Sequence, residues 1–245
     1  MMILRFLMNI LIMAVELALI GASAWLGYHF PLFFAILTVA ISLTLGLWME
    51  YARLIHEFPF YFERPLSGHA LFLRLIAFLD TLVKALLAGM MALLTFSGTN
   101  TDRLFWVAII FAAVVFAGSS LLRRLSISLE AHPSRWGYFR LAAPLGLLFS
   151  LALSFLPRAS FADIGYKVIF DLPMRPSISQ ASEVLFVLKQ KFDALIETVL
   201  AVFMNADVAK ILSAIVSVNV LSGFVIAIYA VIVAEIIRFL EQRVR

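Results

Sequence analysis

Residues 104–122 read LFWVAIIFAAVVFAGSSLL, nineteen positions without a charge, and Arg123-Arg124 follow at once. A helix rises about 1.5 Å per residue, so a run of about 20 apolar residues matches the hydrocarbon thickness of a bilayer. The paired arginines belong at the headgroups where such a run ends. This stretch reads as a membrane-crossing helix and sets the fold class of the chain.

Working outward, five further runs have the same character: residues 3–25, 31–48, 70–96, 138–156 and 211–237. The whole chain agrees. Of 245 residues 64% are hydrophobic and 14% charged, and the mean hydropathy is +1.04. A water-soluble fold carries about 25% charged residues and cannot hide this much apolar surface. We expect an all-α polytopic membrane protein of about six transmembrane helices, with residues 1–156 forming a five-helix region. Residues 157–210 form an outer segment, and residues 211–245 a sixth span with a cytoplasmic tail.

Pro31 suits the first turn of its helix, where a missing N–H costs nothing. Pro144 alone falls inside a span and predicts a kink. The first run has the charge and small residues of a secretory signal, but Glu16 interrupts its apolar core, and we read it as a retained helix.

Lys and Arg positions set the orientation. With the N-terminus inside, one face collects Arg5, Arg53, Arg64, Arg74, Arg123, Arg124, Arg135, Arg140, Arg238, Arg243 and Arg245, while the short opposite connections carry Arg103 alone. Trp25, Trp48, Trp106 and Trp136 all fall at span ends, where indoles favour the interface. Both termini are therefore expected in the cytoplasm, in a bacterial inner membrane.

Outside the spans, Glu50, Arg53 and Glu57 have the spacing of intrahelical pairs and extend the second helix beyond the bilayer. The aromatic run from Phe58 to Phe62 then anchors it at the headgroups. Arg123, Arg124 and Arg135 are candidates for anionic lipid headgroups, worth about 1 kcal/mol each. Residues 158–179 read as a loop. Residues 182–204 have helical period, with Leu185, Leu188, Phe192, Leu195, Ile196, Val199 and Phe203 on one face and Glu183, Gln190, Asp193 and Glu197 on the other. The clustered charges bar this helix from lipid-facing insertion, so it is an amphipathic interfacial helix, lying on the outer leaflet or packed on a partner or on the bundle.

Charges inside spans are costly, and each is a functional candidate. Asp80 and Lys84 stand one turn apart in the favourable order for a pair, which neutralises them for insertion. Glu16 has no basic partner on its own helix. It is expected to be protonated or to meet Lys84, and Asn9, Glu16 and Ser23 repeat every seven residues as a polar seam that should face protein. Asn219, Gly223, Ala227, Ala230 and Ala234 form a small or polar stripe, as do Ala14, Ala18 and Ala22, suited to close helix contact within the bundle or between copies.

The chain has no cysteine, which excludes disulfides, thiolate metal sites and cysteine nucleophiles. No catalytic, metal-binding or phosphate-binding motif occurs, so no catalytic residue, metal or cofactor is assigned. His56, Glu57, Glu63 and His69 share a loop but no catalytic spacing, leaving a lipid-directed enzyme as the weakest reading. The basic residues form no stripe, which argues against nucleic acid. The leading expectation is a non-catalytic membrane subunit or scaffold, whose partners are lipid and other membrane subunits in a homo- or hetero-oligomer. The alternative is a small transporter or an ion- or proton-conducting subunit using Glu16, Asp80 and Lys84. No internal repeat is visible to favour that alternative.

Overall fold

The computed structural model describes residues 2–61, 70–98, 101–129, 132–156 and 177–244. Among them every regular element is helical: α1 (Met2–His29), α2 (Pro31–Tyr61), α3 (Ala70–Thr95), α4 (Thr101–Leu129), α5 (Pro133–Arg140), α6 (Ala142–Ser154), α7 (Ile178–Phe203), α8 (Ala206–Val216), a 3-10 turn (Val218–Leu221) and α9 (Ser222–Val244). Five of these stretches are long and apolar enough to cross a membrane: Leu7–His29, Pro31–Arg53, Arg74–Thr95, Thr101–Leu129 and Val218–Arg243. The protein is an all-α polytopic membrane protein.

The core forms around α9, which packs against α1, α3, α4, α5 and α6. Its residues from Val225 to Val231 are all buried, as expected of a helix apolar on every side and ringed by others. The small stripe is what lets its neighbours approach. A Cβ on Gly223 would lie 1.9 Å from the Ala142 carbonyl oxygen and 2.6 Å from the Cα of Gly146, and one on Gly146 would lie 2.0 Å from the Val220 oxygen. Asn219, Gly223, Ala227, Ala230 and Ala234 are thus consumed inside the bundle. Ala14, Ala18 and Ala22 of α1 face outward instead.

Two of the six expected spans are interrupted. The fifth divides at Leu141 into α5 and the thirteen-residue α6. Pro144 is the cause: it has no N–H to give the carbonyl of Arg140, and its ring crowds that turn. Leu141 and Leu145 still donate to Gly137 and Leu141 at 3.2 and 3.0 Å, so the axis bends without the chain leaving the bundle. The sixth span is not one helix. It breaks at Ser217, which is extended (φ −60°, ψ 144°), and restarts through the 3-10 turn. The Ser217 hydroxyl accepts the Asn219 N–H at 3.0 Å, and Val220 N–H reaches the Ser217 carbonyl. A serine so used offers the backbone an alternative to the helical ladder.

The second helix runs on past the bilayer to Tyr61, with a Glu50–Arg53 pair at 3.4 Å. The side chains of residues 54–70 lie outside the described set, including the Phe58–Phe62 cluster and His56, Glu57, Glu63 and His69. The expected loop at residues 158–179 is described only from Ser177 onward.

The amphipathic helix is present as α7, opened by a reciprocal cap in which Gln180 N–H reaches Ser177 Oγ and Ser177 N–H reaches Gln180 Oε1. It packs on α8 and on the end of α3. Its faces settle one of the alternatives left open by its periodicity. Leu185, Leu188, Phe192, Leu195, Val199 and Phe203 are exposed, while Ser182, Lys191 and Asp193 are buried against the protein. The apolar face does not pack on the bundle; the polar face does.

Candidate functional site: a polar cavity, a ring plug and a charge ladder

The inward polar face of α7 closes one wall of a cavity of about 490 Å³, well within the range of small-molecule sites. The end of α3 contributes Thr95 and Ser97, and the start of α4 contributes Asp102, Arg103, Trp106 and Val107. The end of α6 adds Leu153 and Leu156, α7 adds Glu183, Phe186, Val187, Lys189 and Gln190, and the broken segment adds Asn219. Gly98 turns the chain here at φ +142°, a conformation open to glycine, with the Phe186 ring 3.1 Å from where a Cβ would stand.

The break is held open by Asp193. Its Oδ2 accepts the Ser217 hydroxyl at 2.9 Å and the Asn219 side-chain amide at 3.2 Å, and that amide also reaches Ser217 Oγ at 2.7 Å. Beside it, Thr95 Oγ1 donates to Ser222 Oγ at 2.8 Å. One turn before Asp193, burial pushes the Lys189 amine from 10.5 down to about 8; the Asp193 carboxylate draws it back, and the Arg103 charge adds a smaller push down. Its ammonium lies 5.8 Å from the Phe186 ring centre.

Below the cavity the polarity stops. Phe34, Phe96, Phe111 and Tyr229 are buried together: Phe34 stacks on Tyr229 at 4.9 Å, and Phe96 meets Phe34 and Phe111 edge-on at 5.1 and 5.2 Å. Thr38 and the Tyr229 hydroxyl are 3.1 Å apart, which fixes the one polar atom among the rings. Edge and stacked geometries of this kind add to the area they bury.

Beyond the plug lies a ladder of charge. Glu16 is 1% exposed; its Oε1 accepts the Ser119 hydroxyl at 2.8 Å and its Oε2 pairs with Arg123 Nη1 at 2.6 Å. The other arm of Arg123 pairs with Glu241. Along α4 the order is Asp102 to Val107 in the cavity, Phe111 in the plug, then Ser119 and Arg123 in the ladder. Val107 and Ser119 are about 18 Å apart by helical rise. The 3-10 turn and α9 repeat the order, with Asn219 in the turn and Tyr229 and Glu241 in the helix.

Several expected site residues are placed differently from their sequence reading. Glu16 does not meet Lys84; it meets Arg123, whose guanidinium bridges Glu16 and Glu241. Arg124 is exposed, and the Arg135 side chain lies outside the described set. Lys84 pairs with Asp80 and lies 3.5 Å from Glu50, joining α3 to α2. Of the polar seam, Glu16 and Ser23 are buried, with Ser23 bonded to the Ile20 carbonyl, but Asn9 is exposed. His132 lies 2.6 Å from Arg238 and His29 3.2 Å from the Trp25 carbonyl. Among the described residues no cluster of His, Asp and Glu is suited to a metal.

The cavity was the part least visible in sequence. Its one signal was the run Ser213, Ser217, Asn219, Ser222 within an apolar span, which reads equally well as helix packing. No protein-family model, curated protein or solved structure matches this chain.

Proposed function

We propose that this integral membrane protein handles a small polar solute, as a transporter or as the solute-conducting subunit of one. The observation that carries the reading is the break at Ser217–Leu221, which brings Asn219 to the wall of a polar cavity inside an otherwise apolar bundle, with the Asp193 carboxylate bonded to Asn219 behind it. Interrupted helices lining a cavity are how membrane proteins present backbone and polar side chains to a solute. A scaffold has no need to bury such groups, each of which costs free energy unless it is satisfied. The cavity faces away from the arginine-rich end, which this reading places on the cytoplasmic side of the membrane. The ring plug separates it from the Glu16–Arg123–Glu241 ladder, a division that suits an occluded barrier. The exposed apolar face of α7 continues the lipid-facing surface and rests in the outer leaflet.

A subunit role keeps one specific argument: the Asp80 carboxylate is 47% exposed on a membrane-crossing helix, where a neighbouring subunit would shield it better than lipid. The two readings part on the mobility of the cavity. Spin labels at Leu104→Cys and Val187→Cys, on opposite walls, report its width in nanodiscs by pulsed dipolar spectroscopy. A solute-handling protein gives two distance populations whose weights move when a defined mixture of amino acids, sugars and organic acids is added. A single distribution unmoved by the mixture would overturn the proposal in favour of the subunit.

A further inference from the structure

We infer that the cavity between α4 and α7 is a site for a small zwitterion, a molecule carrying an ammonium and a carboxylate on a short skeleton. The inference deepens the solute-handling reading and rests on it. The lining charges come in both signs on both walls: Asp102 and Arg103 from α4, Glu183 and Lys189 from α7. A cavity for a simple anion would not carry two carboxylates, and one for a cation would not carry an arginine and a lysine, since like charges oppose the ligand at low dielectric.

Asp193 and Arg103 both act on the Lys189 charge, the carboxylate more strongly than the guanidinium, and a ligand carboxylate in the cavity would be drawn to the two lining cations, Arg103 and Lys189. Glu183, on the same helix as Lys189 and in the same cavity, offers a carboxylate to the ligand's ammonium. Gln190, Ser97 and Asn219 supply uncharged donors and acceptors around them, and Trp106, Val107, Leu153 and Leu156 supply apolar wall for a side chain.

The natural absence of cysteine makes a single-cysteine test direct. The full chain bearing Val187→Cys, on the cavity wall, is reconstituted and labelled with a bilayer-impermeant maleimide, alone and with glycine, L-alanine, β-alanine, propionate or propylamine. The zwitterion site predicts that the amino acids slow labelling while propionate and propylamine do not. It also predicts that Glu183→Gln or Lys189→Gln weakens that protection at least about tenfold, the loss of one ion pair, each rate being taken relative to the same variant's unprotected labelling and the fold checked by the thermal unfolding midpoint. Protection by propionate equal to that by alanine would overturn the zwitterion in favour of a simple anion site. Labelling with no protection by any of these solutes would overturn the substrate class and leave the cavity standing. No labelling at all in a folded protein would overturn the open cavity, and with it the function proposed above.

Discussion

Replacing Arg123 by glutamine should be the most damaging single change of charge in this protein, and the damage should be reversible by a second mutation. Among the described residues Arg123 is the one base at hydrogen-bond distance from Glu16, at 2.6 Å, and Glu16 is 1% exposed in mid-helix. Without the guanidinium, the carboxylate keeps just the Ser119 hydroxyl. Breaking a buried pair on one side costs about 3–5 kcal/mol, because the remaining charge is stranded. The bond of Arg123 to Glu241, both about a quarter exposed, adds less than about 1 kcal/mol. The companion change Glu16→Gln keeps an acceptor for Ser119 and leaves Arg123 paired with Glu241, at a cost of about 1 kcal/mol. The double variant then strands no charge, so its loss should fall near that of Glu16→Gln alone, a coupling of about 3–5 kcal/mol. Reversible SDS unfolding in micelles, followed by tryptophan fluorescence, measures all four corners. Equal and additive losses would refute the reasoning, since they would mean that Glu16 has no energetic dependence on Arg123.

Three further outcomes follow from separate parts of the structure. Gly223→Ala and Gly146→Ala should each lower stability by about 3 kcal/mol or more, because the new methyl meets backbone that cannot swing aside. Gly21→Ala, with nothing within 4 Å of the added Cβ, should be neutral in the same unfolding assay. Lys189 should react with an impermeant amine reagent along a pH curve centred near 8. At pH 7 about 10% of it is neutral, against about 0.03% for an ordinary lysine. Its charge is lost as pH rises through 8, so protection of the cavity by a carboxylate ligand should weaken over that interval. A labelling midpoint near 10.5, read by peptide mass spectrometry, would contradict the lowered proton affinity of Lys189. Asp193→Leu removes the acceptor shared by Ser217 and Asn219, so amide hydrogen exchange should accelerate at residues 217–221 and stay unchanged in α4. Unchanged exchange at the break would deny Asp193 its role in holding it.

Hydropathy made most of this fold legible, because a bilayer leaves few alternatives to a helix. The bend before Pro144 could be read from one residue, since proline removes the same hydrogen bond in any context. Other features escaped for physical reasons. Glu16 and Arg123 are 107 positions apart, and a single sequence holds no record of which distant helix a carboxylate meets. Arginine at a span end is also the ordinary mark of topology, which concealed its reach into the interior. The break at Ser217 depends on Asp193 of another helix, and Ser217 and Asn219 alone look like packing residues. Periodicity found both faces of α7 but not their direction. In water the apolar stripe turns inward, whereas beside lipid the polar stripe does, and of the clustered polar residues that barred insertion Lys189 and Gln190 line the cavity while Lys191 and Asp193 are buried.

The central claim is that a polar cavity opens on one side of the membrane and ends at the ring plug, with the charge ladder sealed behind it. Side-resolved labelling of Val187→Cys and Ser119→Cys in intact proteoliposomes tests it directly. An impermeant maleimide added on the cavity side should modify Cys at 187 and leave Cys at 119 untouched, until Phe111→Ala removes a ring of the plug. Modification of Cys at 119 from that side with Phe111 in place, or failure to modify Cys at 187, would contradict the account.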